Sequence, residues 1–235
     1  MERYIIQRND FLSINIQAYF NTYYVGYKRP GNPDFLNELK NTFNNKPSID
    51  LKKAMEPIYD RFVEDIPKII QENQFDECVL VSVPRSKAYS MYSNNQLLFN
   101  ETIKNSFSAI CKKVPFCKLF DGSEWITRIK NTKTTHIRKE ISGFNNDGDL
   151  PYPGITKDTC VYDSMIKGKD IILIDDIYTA TVNIDEDCIQ ALLDWGAKKC
   201  SILFHRIYKE VVNEIFRYSI KGVGGKRKWT YKDKC

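Results

Sequence analysis

A parallel α/β sheet flanked by helices is the fold class predicted for this 235-residue chain, on three observations. The first is Ile171–Ile174, an unbroken aliphatic run that ends in Asp175-Asp176. A continuous apolar stretch without polar alternation suits a strand buried on both faces of a parallel sheet. The second is the order of the next two segments. A helix-like stretch, Asp185–Trp195, leads to another apolar run, Ser201–Phe204, so Ile171–Phe204 reads as a compact βαβ crossover. The third is an earlier β-branched run, Cys78–Val83, that passes directly into Pro84-Arg85-Ser86-Lys87.

Taken in chain order, residues 1–76 read as a mainly helical element packed on the core. They are rich in Tyr, Phe and Asn, with a turn signal at Arg29–Pro33 and a short helix predicted at Phe35–Phe43. Lys52–Asn73 is amphipathic, with Met55, Ile58, Tyr59, Phe62, Ile66, Ile69 and Ile70 recurring at three- and four-residue spacing. Pro57 suits the first turn of that helix, whereas Pro67 is expected to kink or divide it. The core spans residues 77–208. In it Cys78–Val83 is a strand, Leu97–Lys112 the crossover helix and Val114–Phe120 the next strand. Trp125–Phe144 carries Arg128, Lys130, Lys133, His136, Arg138 and Lys139 among Thr and Asn. That mixture suits a mobile flap over an anionic substrate, and equally an ordinary polar loop. Cys160–Tyr162 is a short strand, Gly168-Lys169-Asp170 introduces the motif strand, and Gly196 is a C′ residue ending the following helix.

Residues 209–235 form a C-terminal segment with a flexible basic tail. Lys221–Cys235 holds six basic residues, one acid, three glycines, Trp229 and Tyr231. Such a tail could sit on phosphate backbones, stack on bases or dock on a protein; the alternative is a solvated end. The net charge of +5 is met as easily by a phosphate-rich substrate as by a nucleic acid.

Composition excludes several classes. No run approaches the roughly 20 apolar residues that cross a bilayer, and Gln7, Arg8, Asn9 and Asp10 interrupt the stretch where a signal peptide would be apolar. A cytoplasmic location is expected, with no membrane partner. The seven cysteines are odd in number and scattered, no CxxC pair occurs, and only His136 and His205 could add imidazole ligands. Neither a structural zinc site nor a disulfide framework is expected.

The chemistry concentrates after the motif strand. Asp175 and Asp176 are placed at its carboxyl end, where open α/β sheets bind ligands. Thr179–Asn183 would offer backbone N–H groups and hydroxyls at a helix N-terminus, a natural anion seat. Two carboxylates for diol hydroxyls beside a phosphate cradle describe a site for a phosphorylated sugar.

The order strand, Asp175, Asp176, Ile177, Tyr178, Thr179 resembles the phosphoribosyl diphosphate (PRPP) motif of type I phosphoribosyltransferases, nearest to the ComF-like and amidophosphoribosyltransferase-like members. Their pattern is a hydrophobic strand, Asp-Asp, an aliphatic residue, any residue, then Thr-Thr-Gly-x-Thr or a close variant. Ala180 is an acceptable variant, Thr181 stands where the family usually has Gly, and Asn183 where it has Thr or Ser. Ser82-Val83-Pro84 is similar to the hydrophobic–Pro–x–Pro segment of ComF-like sequences, and Arg128 with Thr132 loosely matches their Arg–Thr segment. No thiol follows Met1, so glutamine-derived ammonia chemistry is not expected. The specific part of the likeness is Ile171–Phe204.

The resemblance implies binding of PRPP, or a related sugar phosphate, with Mg²⁺ held mainly by the substrate. It implies transfer of the phosphoribosyl group to a nitrogen acceptor with release of pyrophosphate. Asp175 and Asp176 would orient the ribose. Tyr178, Thr179, Ala180, Thr181, Val182 and Asn183 would hold the 5′-phosphate, and Arg85, Ser86 and Lys87 the pyrophosphate. Arg128, His136 and Arg138 are candidates for the flap. His205 and Arg206, after the last strand, reach the same rim or stay against the sheet. The alternative function is a PRPP- or nucleotide-sensing module that regulates a partner without relying on turnover.

Overall fold

A computed structural model describes residues 1–26, 28–32, 34–135, 137, 141–142, 144–150, 154–155, 158–180 and 182–208. The expectations for His136, Arg138, Thr181 and the basic tail lie outside the described residues. The main sheet has six strands in the order β1-β2-β8-β7-β3-β4. They are β1 (Glu2–Ile6), β2 (Ile16–Tyr24), β3 (Glu77–Ser82), β4 (Lys118–Asp121), β7 (Asp170–Tyr178) and β8 (Lys199–Tyr208). Five run parallel, and β1 closes one edge antiparallel to β2. The protein is therefore α/β with a mostly parallel mixed sheet.

Helices cover both faces. On one face, α1 (Phe35–Lys40), α2 (Ser48–Asn73) and α3 (Leu98–Lys113) bury Leu36, Ile58, Phe62, Ile66 and Ile103 against Leu80, Ile172, Ile174 and Leu203. On the other, α4 (Ile184–Asp194) packs Cys188, Ile189 and Leu192 with Val79, Val81, Ile171, Leu173 and Phe204. Strands β5 (Ile126–Arg128) and β6 (Cys160–Tyr162) form a separate antiparallel pair on that same side. The alternation of Ile171 and Leu173 with Ile172 and Ile174 between the two clusters is the period of two expected of a strand buried on both faces.

Two sequence expectations are corrected. The N-terminal element is helical from Phe35 to Asn73 apart from a short connection, but its first 24 residues supply β1 and β2. Ile16–Tyr24 is rich in aromatic residues, which suit a pleated surface, and it gains a full parallel partner in β8. Second, Pro67 does not divide α2, which runs unbroken for 26 residues with Pro57 and Pro67 both inside. Each proline removes one intrahelical hydrogen bond at a cost of about 3 kcal/mol or more. The stripe of Leu51, Ala54, Ile58, Phe62, Ile66, Ile69 and Ile70 offsets this, because all seven are buried and burying one such large aliphatic or aromatic side chain is worth about 1.5–3 kcal/mol.

The topology sets the ligand end. From β3 the chain crosses by α3 to β4 on one side; from β7 it crosses by α4 to β8 on the other. The direction of winding therefore reverses between β3 and β7, and the crevice beyond their carboxyl ends is where such sheets bind ligands. Among the described residues no helix is long and apolar enough to cross a membrane.

Candidate functional site

Both motifs singled out in the sequence flank this reversal. The Val83 N–H donates to the Ile174 carbonyl at 3.0 Å, so Pro84–Lys87 leave the sheet beside Asp175. Strand β7 does not stop at the aspartates. It continues through Tyr178, with Ile177 and Tyr178 in register with Arg206 and Ile207 of β8.

Asp176 is buried, and one of its oxygens forms an ion pair with Lys40 Nζ at 2.5 Å. Its other oxygen accepts the Ile177 N–H at 2.7 Å. Lys40 is the last residue of α1, so the N-terminal element reaches over the carboxyl ends of the strands. Burial lowers the pKa of the Lys40 amine, and the nearby Asp175 and Asp185 carboxylates oppose that shift. Asp175 in turn lies beside Asp185, on the first turn of α4. Burial pushes both carboxyls up, and Asp185 further because the Asp175 and Glu186 charges face it.

The next two acids are also buried and each has its own donor. Glu186 Oε1 accepts the Tyr178 hydroxyl at 2.8 Å. Asp187 Oδ2 accepts the backbone N–H groups of Gly154 and Ile155, both at 2.8 Å. Burial raises the Asp187 carboxyl, and those two bonds pull it back. Three acids in a first turn complement the positive end of the helix macrodipole.

Part of the expected phosphate loop is not a loop. Tyr178 belongs to β7, buried, with its ring stacked on Phe204 at 4.6 Å. Alternation along the strand and the apolar wall of Phe204 draw its ring into the core. Thr179 and Ala180 follow β7 part-buried, and the Val182 N–H donates to the Thr179 carbonyl at 3.0 Å. The left-handed residue that turns the chain into α4 is Asn183, at φ 52°. Asparagine is one of the few side chains that visits this region routinely.

The expected pyrophosphate loop is tightly bound to protein. Arg85 Nη1 donates to the carbonyls of Lys40 (2.8 Å) and Gln96, and its guanidinium lies over the Tyr92 ring at 4.4 Å. Ser86 shares a 2.7 Å hydrogen bond with Thr134 Oγ1. Lys87 Nζ donates to the Asp147 carbonyl at 2.5 Å and its carboxylate at 2.9 Å, which holds that carboxyl below the usual range. Arg128, expected on a flap, is 4 % exposed and clamps the loop from beneath. Its Nε donates to the Arg85 carbonyl at 2.5 Å and its Nη1 to Gly154 at 2.8 Å. It lies at the end of β5, whose pairing with β6 fixes it in place.

His205 is buried, and its ring meets Phe35 edge-on at 5.2 Å. Burial, then the Arg206 and Arg61 charges, lower its pKa to about 3. Arg206 is also buried, with Nη1 donating to the Tyr23 carbonyl at 3.1 Å. Both stay against the sheet.

The residues that the sequence reading missed are Lys40 and the acids Asp185, Glu186 and Asp187. Three consecutive acids after the motif were a visible signal; Lys40 had none. A cleft of about 470 Å³ lies between α2 and α3, lined by Met55, Tyr59 and Thr102, and includes none of the sequence-predicted site residues. Asp175 and Asp176 are hard oxygen donors of the kind Mg²⁺ takes, and both Asp176 oxygens already have protein partners. Among the described residues no group of three or more His, Cys, Asp or Glu side chains is arranged to hold a metal ion by itself. Family models and curated proteins were both searched, and neither comparison gave a match to this chain.

Proposed function

We propose that this chain binds PRPP with Mg²⁺ in the crevice between β3 and β7 and transfers the phosphoribosyl group to a nitrogen nucleophile. One observation carries the reading: the Asp175-Asp176 pair and the Pro84–Lys87 loop, distant in sequence, meet at the point where the winding reverses. In this reading Asp175 and Asp176 accept hydrogen bonds from the ribose hydroxyls. The Thr179–Asn183 turn receives the 5′-phosphate, and the diphosphate lies toward Pro84–Lys87. The bond from the anomeric carbon to pyrophosphate oxygen breaks, the electron pair leaves with pyrophosphate, and a C–N bond forms. The nucleophile's N–H proton passes to solvent. The carboxylates beside the ring favour the electron-poor, oxocarbenium-like transition state over the neutral ground state. Mg²⁺, when bound, neutralises charge on the departing diphosphate.

A second reading is a PRPP- or nucleotide-sensing module that regulates a protein or nucleic-acid partner, the latter through the basic tail. It is favoured by the Asp176–Lys40 ion pair and by the commitment of Arg85, Lys87 and Arg128 to protein acceptors. Calorimetry with PRPP and Mg²⁺, beside a pyrophosphate-release assay over a panel of nitrogen bases, separates the two. Binding with release supports transfer, and binding without release supports sensing. The double variant Asp175→Asn/Asp176→Asn is expected to abolish binding, since each lost charge-assisted hydrogen bond is worth roughly 1.5–3 kcal/mol. Unchanged affinity in that variant rejects the site.

A further inference from the structure

The proposed site needs a cation for the diphosphate, and the cations of the loop expected to provide it are committed elsewhere. Arg85 is held by the carbonyls of Lys40 and Gln96, Lys87 by Asp147, and Arg128 by the carbonyls of Arg85 and Gly154. Freeing Arg85 or Arg128 takes a donor from the Lys40, Gln96 or Arg85 carbonyl and loosens the loop, at about 1–3 kcal/mol for each carbonyl left unpaired, and freeing Lys87 breaks its ion pair with the exposed Asp147. Their chemistry is to build the loop.

Lys40 differs in three respects. Its partner is Asp176, one of the two carboxylates that the reading assigns to the ribose, so ligand binding itself alters the pair. Its side chain is 33 % exposed, whereas that of Lys87 is 10 % exposed. Finally, its own carbonyl is gripped by Arg85, which fixes the end of α1 against the Pro84–Lys87 loop. Lys40 therefore joins the two halves of the proposed site, its amine on the Asp176 carboxylate of β7 and its backbone against the loop assigned to the diphosphate.

On the basis of the PRPP reading, we propose that Lys40 is the diphosphate-binding residue of this site. It shifts from Asp176 toward the ligand's diphosphate when the ribose hydroxyls take up the Asp176 carboxylate. An ammonium on a flexible stem suits such an exchange, because it acts as a point charge without the fixed fork of arginine. The N-terminal element then completes the site, with α1 supplying the charge and Arg85 and Arg128 supplying the geometry.

The test compares the full chain with Lys40→Met, which keeps the packing of the stem and removes the charge. Calorimetry is run with three probes: pyrophosphate with Mg²⁺, PRPP with Mg²⁺, and ribose 5-phosphate. Lys40→Met is expected to weaken pyrophosphate and PRPP by about tenfold or more, the worth of one charge-assisted hydrogen bond. Ribose 5-phosphate, which has no diphosphate, is expected to bind the variant no more weakly than the wild type. Equal pyrophosphate affinity in the two proteins overturns the role of Lys40 while leaving the PRPP reading in place. Equal weakening of all three probes also overturns it, since that is the signature of a distorted site. Failure of the wild type to bind either PRPP or pyrophosphate overturns both.

Discussion

Replacing Asp185 by asparagine removes one titrating group from the buried Asp175–Asp185 pair while keeping an N–H that can donate to Asp175. In the folded protein burial, followed by the Asp175 and Glu186 charges, raises the Asp185 pKa well above its ordinary 3.8. The unfolded chain has no such environment, so it releases this proton at the ordinary value. Between those two points the folded state binds more protons than the unfolded one, and stability falls as pH rises. The slope for one extra proton is about 1.4 kcal/mol per pH unit. His205 acts with the opposite sign. Its pKa, lowered to about 3 from 6.5, makes the unfolded state bind the extra proton, so stability is lost as pH falls below 6.5. Both proteins contain His205, and their difference cancels it. Urea unfolding from pH 4.5 to 8.5 is expected to show Asp185→Asn gaining on the wild type as pH rises, with a slope approaching that of one proton. Parallel stability profiles would mean that Asp185 ionises normally, and the upward shift would be refuted.

Three further outcomes rest on single buried partners. Arg128→Leu leaves the Arg85 carbonyl without its donor, while the Gly154 carbonyl keeps the Thr159 hydroxyl, and is expected to lower stability by about 1–3 kcal/mol, read as a drop in the urea midpoint. Tyr178→Phe keeps the ring on Phe204 but deprives Glu186 of its hydroxyl donor; a loss of about 1–3 kcal/mol, measured by the same denaturation, is the expected result. His205→Leu should flatten the acid limb of the stability profile between pH 6.5 and about 3, and an acid limb as steep as the wild type's would place that titration on another group.

The strands that were legible in the sequence carry their signal locally. Ile171–Ile174 alternates between two apolar clusters, so no polar residue interrupts the run, and a double-sided strand follows from that alone. The Asp175-Asp176 pair was legible for the same reason, because charges directly after such a run stand out from it, although the strand and its burial continue through Tyr178. Strand β2 was not legible, since Ile16–Tyr24 mixes Tyr, Asn and Thr with apolar residues and owes its place to β8, close to the other end of the described chain. Tyr178 was misplaced because β7 stays paired with β8 for three residues beyond Asp175, a length set by the partner strand. Pro67 carries a local penalty that packing outweighed, which no window of sequence around it reveals. Lys40 closes a short helix with no pattern of its own, and only the topology brings it to Asp176.

The acids of α4 bear directly on whether an anion can sit at this end of the sheet. Taken as three bare charges, Asp185, Glu186 and Asp187 would repel a phosphate placed on the preceding turn. Two of them are instead engaged, Glu186 by the Tyr178 hydroxyl and Asp187 by two backbone N–H groups, while burial and the facing Asp175 and Glu186 charges raise the Asp185 pKa well above its ordinary value. Those bonds tie α4 to β7 and to the Gly154–Ile155 backbone, so the acids act inside the fold and the helix dipole further offsets their charge. The charges that a ligand entering between β3 and β7 meets are then Asp175, Asp176 and the Lys40 amine. An acid pair for hydroxyls with one exchangeable cation beside it matches a sugar carrying a diphosphate better than a free anion. Inorganic phosphate alone is accordingly expected to bind far more weakly than PRPP.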